Sequence, residues 1–204
     1  SEALRRAFAD RARFLGDPEG AKDMPVERLV SKEHAAALRK TIRADRASVS
    51  SPASFEWPAE STETTHFSVV DADRNVVTLT TTLEAGYGSQ IVVPGAGFLL
   101  NNEMGDFNKK AGETNLTGDI GTPANMIAPG KTMLSSMTPT MVVRDGLLVL
   151  LTGSPGGRTI INTVFTIVLG VAEYGLNGRQ AVDLARMHHQ WLPDRATLEE
   201  GAVT

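Results

Sequence analysis

An apolar segment in the second half of the chain limits the choice of fold more than any other stretch. Residues 159–172 contain no charged residue, and the apolar side chains of residues 159–174 recur at helical spacing almost all the way round, up to Gly175, which can end the helix. This pattern is typical of a helix buried between the layers of a folded domain. The segment is shorter than the roughly 20 residues that a membrane-spanning helix needs. We therefore expect an internal helix and no membrane span.

Strand-like sequence precedes this helix. Runs rich in Val and Thr flank the turn Asp71–Asn75, and a second pair of apolar runs flanks Asp145-Gly146. β-Branched residues around such turns are typical of antiparallel hairpins. Hairpins followed by helices indicate an α+β domain built in layers. The predicted strands are residues 67–70, 76–83, 91–100, 141–143 and 147–151.

The N-terminal part of the chain is predicted to be helical and then irregular. Residues 1–16 place apolar side chains on one helical face, and Ser31 can cap a second helix around Ala35–Leu38. Residues 44–63 are rich in Ser and contain Pro without any periodicity, which is typical of an exposed linker. A last short helix is expected near residues 178–186.

Composition removes several classes of function. The 20 Lys and Arg residues against 24 Asp and Glu give a net charge of −4, so no basic excess favours nucleic-acid binding. The absence of cysteine excludes disulfides, thiolate catalysis and cysteine-based zinc sites. His188 and His189 are adjacent and lack an evident third ligand, which favours packing over a metal site. A metal site is therefore not expected from these residues.

Four polar motifs combine residue types that bind ligands. Two acids three residues apart can hold an ammonium group or a metal, paired serine hydroxyls can bind a carboxylate, and backbone N–H groups before a helix can bind an oxyanion. Each motif also has an ordinary structural interpretation as a turn, a strand entry or a cap, and no motif alone decides between the two. The motifs are the hydroxyl-rich Ser61–His66, the acids Glu103 and Asp106, the pair Ser135-Ser136 and the glycines Gly156-Gly157.

In their order along the chain, these motifs resemble the gamma-glutamyltranspeptidase family. The resemblance implies the N-terminal nucleophile hydrolase fold, a four-layer αββα sandwich of which this chain would form a part. It also implies that residues 1–63 are the C-terminal part of a large subunit with its linker, and that residues 64–204 are most of a catalytic small subunit. The similar blocks are TTHFSVVD at 64–71, LLNNEMGDF at 99–107, LSSMTPT at 134–140, GSPGG at 153–157 and HHQWLP at 188–193.

The resemblance further implies an enzyme that cleaves its own chain between Glu63 and Thr64. The Thr64 hydroxyl would attack the carbonyl of Glu63, and water would hydrolyse the resulting ester. The freed α-amine of Thr64, with an ordinary pKa of about 8, would then serve as the base for its own hydroxyl. Thr82 would hydrogen-bond to Thr64 and orient it. The resemblance implies no cofactor, and this mechanism requires no metal.

The remaining implied roles describe a site for a γ-glutamyl group. The acyl group would pass from a glutathione-type amide to the nucleophile, and then to water or an amino-acid amine. Glu84 stands among the substrate-binding positions where well-studied family members carry Asn, and a carboxylate there repels an acidic substrate unless it is protonated or paired. The expected roles are oxyanion binding by Gly156 and Gly157, α-carboxylate binding by Ser135 and Ser136, and α-ammonium binding by Glu103 and Asp106.

Two alternatives stay open beside this one. The same fold could act on another acyl amide, such as a β-lactam side chain or poly-γ-glutamate, or the chain could be an uncleaved and inactive fragment.

Thr117 stands about where some bacterial relatives place a lid tyrosine, which predicts a more open site. The remaining large-subunit segment is the expected partner, and the resemblance implies a periplasmic or extracellular protein whose signal peptide is not in this chain.

Overall fold

The computed structural model describes residues 1–20, 24–51, 63–114 and 120–202. The helices are α1 (Glu2–Phe14), α2 (Val26–Leu29), α3 (Lys32–Lys40), α4 (Thr159–Ala172) and α5 (Gly178–Asp183). The strands are β1 (Thr64–Val70), β2 (Val76–Thr82), β3 (Thr140–Arg144), β4 (Leu147–Thr152), β5 (Met187–His188) and β6 (Thr197–Leu198). Two 3₁₀ helices lie at Glu103–Asp106 and Pro123–Asn125. The strands pair as β1–β2, β3–β4 and β5–β6, so the described residues form three two-stranded sheets.

The chain divides into two compact units. The first unit contains Ser1–Ala59, Met104–Ser135 and His188–Thr197, and the second contains Glu60–Glu103, Ser136–Met187 and Leu198–Thr204. Segments from both ends of the chain therefore belong to the first unit.

Helix α1 is the main helix of the first unit. Its Phe8 and Ala12 are buried, and the Phe8 ring meets the His188 ring edge to face with 5.7 Å between centroids. At the end of the helix, the Thr122 hydroxyl donates to the carbonyl of Ala12. Gly16 follows, and a Cβ built there would overlap the carbonyl of Ala124, so only glycine fits this approach. Helix α1 is thus fixed to the 104–135 segment through backbone contacts.

Hairpins β1–β2 and β3–β4 form the sheets of the second unit, and each has a well-defined turn. The register of β3–β4 shifts once, between Val142 and Val143. In the first hairpin, Asp71 accepts a 2.8 Å hydrogen bond from the backbone of Asn75, and Thr64 pairs with Thr82 at the far end. In the second hairpin, Asp145 and Gly146 both have positive φ, 52° and 77°. This is the geometry of the two-residue turns that match strand twist. Both predicted hairpins are confirmed.

Helix α4 buries one face within the second unit. Ile160, Val164 and Ile167 are all at most 5% exposed, whereas Phe165 on another face is 54% exposed. Gly170 allows α5 to approach, because a Cβ built there would lie only 3.3 Å from the side chain of Ala181. The predicted apolar helix is confirmed, and it ends at Ala172, two residues before the predicted end at Tyr174. The sequence predicted burial nearly all round, whereas the exposed Phe165 shows that one face of the helix is not covered by the described residues. No helix among the described residues has both the length and the apolar character to cross a membrane.

The predicted third strand, residues 91–100, is wrong. The segment turns back on itself instead, with a single bridge between Val92 and Leu99. Gly95 and Gly97 adopt φ of 79° and 74°, a conformation that breaks an extended strand. The apolar residues of this segment therefore lie on either side of a tight turn and do not form one continuous strand. Of the predicted linker 44–63, residues 52–62 lie outside the described residues.

Candidate functional site

The predicted cleavage site lies where β1 begins. Thr64 is the first residue of β1 and pairs with Thr82, the last residue of β2. The Thr82 hydroxyl donates a 2.9 Å hydrogen bond to the carbonyl oxygen of Glu63 and accepts a 3.0 Å hydrogen bond from the backbone N–H of Glu84. It thus contacts the carbonyl next to Thr64, whereas the sequence predicted a bond to Thr64 itself. A hydrogen bond to this oxygen withdraws electron density from the carbonyl carbon.

Glu84 occupies a turn with a special backbone conformation. Its φ is 71°, in the left-handed region where Asn and Asp are enriched among non-glycine residues. Asn102 holds this turn from both sides, since its side-chain oxygen accepts from Ala85 N–H at 3.0 Å and its own N–H donates to the Leu83 carbonyl at 3.1 Å. Sequence reasoning placed Asn102 in a ligand-binding block and missed this role. This turn places the backbone N–H of Glu84 within hydrogen-bond distance of the Thr82 hydroxyl.

The glycine pair follows β4 and opens helix α4. Gly156 and Gly157 have φ of 124° and 55°. Their carbonyls accept from the N–H groups of Thr159 and Ile160 at 3.1 Å, which begins the helix. Among the described residues, neither glycine N–H donates a hydrogen bond. Two adjacent N–H donors at the start of a 14-residue helix suit a developing negative charge.

His66 links β1 to the segment that leads into this glycine turn. Its Nδ1 lies 2.9 Å from the Thr80 hydroxyl on β2, and burial lowers the pKa of the imidazole. The ring also packs against Gly153, where an added Cβ would overlap it. The second unit therefore holds the strand that starts at Thr64 against the chain just before the glycine pair. Sequence reasoning did not assign a role to His66, although it lies within the TTH block.

The predicted ammonium-binding acids lie on one 3₁₀ helix. Glu103 is its first residue, in the second unit, and Asp106 its last, in the first unit. The Asp106 carbonyl accepts a 2.7 Å hydrogen bond from the side chain of Asn125. The structure thus shows how Asp106 is anchored.

The predicted serine pair lies on an extended segment before β3. Ser135 ends one segment of the first unit, and Ser136 begins one of the second. Just before them, Leu134 N–H donates a 3.0 Å hydrogen bond to the side-chain oxygen of Asn125. Thr117, the expected lid position, lies outside the described residues. No cluster of three or more His, Asp or Glu residues suited to a metal occurs in the described ranges.

Comparison with known proteins decides the family. The sequence model of the family described as Gamma-glutamyltranspeptidase matches residues 1–204. The chain belongs to the gamma-glutamyltranspeptidase family. The glutathione hydrolase proenzyme of Escherichia coli K12 is 46% identical over 98% of this chain, and that of Pseudomonas sp. A14 is 41% identical over 100% of it. In both comparisons the chain spans 35% of the relative's length.

Solved structures agree with the family and with the fold. An acivicin-inhibited gamma-glutamyltranspeptidase superposes with a TM-score of 0.62 at 46% identity, over 69% of this chain and 74% of that one. A Helicobacter pylori gamma-glutamyltranspeptidase mutant gives the same TM-score and identity over 69% and 75%. A cephalosporin acylase from Bacillus halodurans gives a TM-score of 0.77 at 23% identity, over 99% of this chain and 34% of that one, which shows the fold alone. The predicted α+β fold, a partial N-terminal nucleophile hydrolase fold, is confirmed.

Proposed function

We propose that this gamma-glutamyltranspeptidase chain belongs to an enzyme that cleaves itself between Glu63 and Thr64 and then transfers γ-glutamyl groups. The observation that carries the proposal is the 2.9 Å hydrogen bond from the Thr82 hydroxyl to the Glu63 carbonyl. This hydrogen bond polarises the Glu63 carbonyl, which is the carbonyl that the family resemblance predicts Thr64 to attack.

Self-cleavage proceeds in two balanced steps. The Thr64 Oγ adds to the carbonyl carbon of Glu63, the C–N bond breaks, and the Thr64 nitrogen takes a proton to become an α-amine. Water then hydrolyses the ester, which returns the Thr64 hydroxyl and leaves a carboxylate on Glu63. Thr82 stabilises the charge that develops on the carbonyl oxygen, and the Glu84 N–H keeps the Thr82 hydroxyl in position.

Catalysis by the cleaved enzyme uses the same nucleophile. The free α-amine of Thr64 accepts the proton of its own hydroxyl, and the hydroxyl attacks the γ-carbonyl of a glutathione-type amide. The amine leaving group departs with a proton, and a γ-glutamyl ester forms on Thr64. Water or an amino-acid amine then takes the acyl group. The N–H groups of Gly156 and Gly157 bind the oxyanion in both steps, since they are adjacent donors in the turn that immediately precedes α4.

Substrate recognition follows the charges of a γ-glutamyl group. Glu103 and Asp106 bind the α-ammonium, and Ser135 and Ser136 bind the α-carboxylate, as the family resemblance implies. Glu84 belongs to the turn beside Thr82, and its left-handed backbone is suited to the Asn that the resemblance leads one to expect there. The 41–46% identity to glutathione hydrolases supports a γ-glutamyl substrate over the other acyl amides.

The rest of the large subunit is the proposed partner. Several strand residues are more than half exposed in the described chain, although they are apolar: Val69, Val77, Val143 and Leu147. Exposed apolar sheet faces of this kind need a covering layer. Because the chain spans 35% of its relatives' length, the remaining chain of the complete protein can supply it. A periplasmic or extracellular location is proposed from family membership, and cell fractionation tests it.

Turnover of γ-glutamyl-p-nitroanilide by the complete protein tests the proposed activity. The wild type should release p-nitroaniline, and Thr64→Ala should lose at least about a thousandfold in kcat/KM because it has no nucleophile. Butyryl-p-nitroanilide, which lacks both the α-ammonium and the α-carboxylate, is the matched substrate. Equal turnover of the two anilides, or an active Thr64→Ala variant, would contradict the proposal.

A further inference from the structure

One buried amide joins the described parts of the segment 104–135, which are residues 104–114 and 120–135. Asn125 is 5% exposed, and it ends the 3₁₀ helix Pro123–Asn125. Its backbone carbonyl accepts a 2.8 Å hydrogen bond from Asn108 N–H. Lys131 supports it from both sides, since its Nζ donates to the carbonyls of Ala124 and Met126 at 2.8 and 3.1 Å. A long segment of weak periodicity thus has a fixed centre.

The two ends of the Asn125 side chain point to two different motifs. Its Nδ2 donates to the Asp106 carbonyl at 2.7 Å, and its Oδ1 accepts from Leu134 N–H at 3.0 Å. Asp106 is one of the acids proposed to bind an α-ammonium, and Leu134 immediately precedes Ser135, which is proposed to bind an α-carboxylate. One side chain therefore holds the backbone of both motifs at a fixed separation. Asn125, Asp106, Leu134 and Ser135 all belong to the first unit, whereas Glu103 and Ser136 belong to the second.

We propose that Asn125 is a positioning residue that sets the distance between Asp106 and Ser135, the members of the ammonium-binding and carboxylate-binding motifs that belong to the first unit. The proposal rests on the proposed function, because it assumes those two roles. The chemistry of an α-amino acid requires it: the ammonium and carboxylate share one carbon, so their binding groups must be spaced to a fraction of an ångström. An amide suits the task because it donates at one end and accepts at the other, and its burial keeps water from competing for either bond.

The test separates substrate binding from the rest of catalysis. In the complete protein, Asn125→Ala removes both hydrogen bonds, and Asn125→Asp keeps the shape but places an acceptor against the Asp106 carbonyl. Both variants should raise KM for γ-glutamyl-p-nitroanilide by about tenfold or more, since each loses correctly placed contacts to the substrate's charged groups. The rate of self-cleavage at Glu63 and kcat should stay within about threefold of the wild type, because neither uses this spacing.

Asn108→Ala is the matched control. Asn108 lies in the same segment, and its side chain donates to the carbonyl and the hydroxyl of Thr122 at 2.9 and 3.3 Å; among the described residues, no hydrogen bond joins this side chain to either motif. This variant should lose stability in thermal unfolding without a change in KM.

A KM that stays at the wild-type value in a cleaved Asn125 variant would overturn the proposal, and so would an equal rise in KM for Asn108→Ala. If neither Asn125 variant accumulates while Asn108→Ala does, Asn125 serves stability alone and the proposal is wrong. A wild type that never cleaves or turns over the anilide would instead refute the proposed function.

Discussion

At the scale of single residues, the Thr82 hydroxyl is the group that the structure ties most directly to chemistry. It receives a hydrogen bond from Glu84 N–H and gives one to the Glu63 carbonyl, so its direction is set from both sides. A hydroxyl held in this way needs no reorganisation when charge develops on the oxygen.

Thr82→Val should slow self-cleavage by about a hundredfold, because Val keeps the β-branched shape and removes the hydroxyl that donates to the Glu63 carbonyl and accepts from the Glu84 N–H. Time-resolved intact mass of freshly produced protein measures the rate. Thr81→Val is the control, since Thr81 is the exposed neighbour on β2 and pairs with Thr65. Cleavage of Thr82→Val at the wild-type rate would show that the observed hydrogen bond plays no part.

Gly153→Ala should disturb both stability and turnover, because the new methyl group meets the His66 ring. We expect a loss of about 1–3 kcal/mol in unfolding free energy from overpacking, together with a fall in kcat. Chemical denaturation and anilide turnover measure the two effects. Gly178→Ala is the control, since an added Cβ there meets nothing within 4 Å. A fully stable and active Gly153→Ala would mean that His66 does not hold β1 against this segment.

At the scale of elements, the sequence predicted the turns and helix caps, because neighbouring residues determine their geometry. The Asp145-Gly146 turn was predicted because its two residues tolerate the positive φ that the turn requires. Helix α3 was predicted from its cap, and Ser31 does accept from His34 N–H at 3.1 Å. The strand predicted at 91–100 failed because its apolar residues outweighed the turn signal of Pro94-Gly95. The roles of Asn102 and Asn125 could not be predicted, because their partners lie 9 to 19 residues away along the chain.

Helix α1 contributes an acid-sensitive contact. Burial raises the pKa of Glu2, but hydrogen bonds from Ser48 and Arg6 outweigh it and lower the pKa from 4.5 to about 2. Because the folded value lies below the unfolded one, the stabilisation is complete above pH 4.5 and is lost as the pH falls toward 2. The contact joins α1 to the chain that leads toward the cleavage site.

Glu2→Gln should therefore lower the unfolding free energy by about 1 kcal/mol at pH 7, and the difference from the wild type should shrink between pH 4.5 and 2. Urea denaturation across this range measures it. Glu33→Gln provides the comparison, since Glu33 is exposed on α3. A constant difference between wild type and Glu2→Gln at every pH would exclude ionisation of Glu2 as the source.

At the scale of the whole molecule, residues that precede the predicted cleavage site form polar contacts with a residue that follows it. Arg5 on α1 forms an ion pair with Asp194 and donates to the hydroxyl of Ser50 at 2.6 Å. Asp194 also accepts from Ser50 N–H at 2.7 Å, and this hydrogen bond and the one from Arg5 lower its pKa despite burial, which raises it. Residues before Glu63 are thus bound to residues near the C-terminal end. Cutting the chain at Glu63–Thr64 would break one covalent bond and leave these contacts in place.

Intact mass of the complete protein is the measurement that tests self-cleavage most directly. Under denaturing conditions we predict two masses, one ending at Glu63 and one beginning at Thr64, and under native conditions a single mass equal to their sum. Thr64→Ala should give one undivided mass under both conditions. A wild type that stays undivided, or a Thr64→Ala variant that is still cut at the same bond, would contradict the central claim that Thr64 is the nucleophile of its own release.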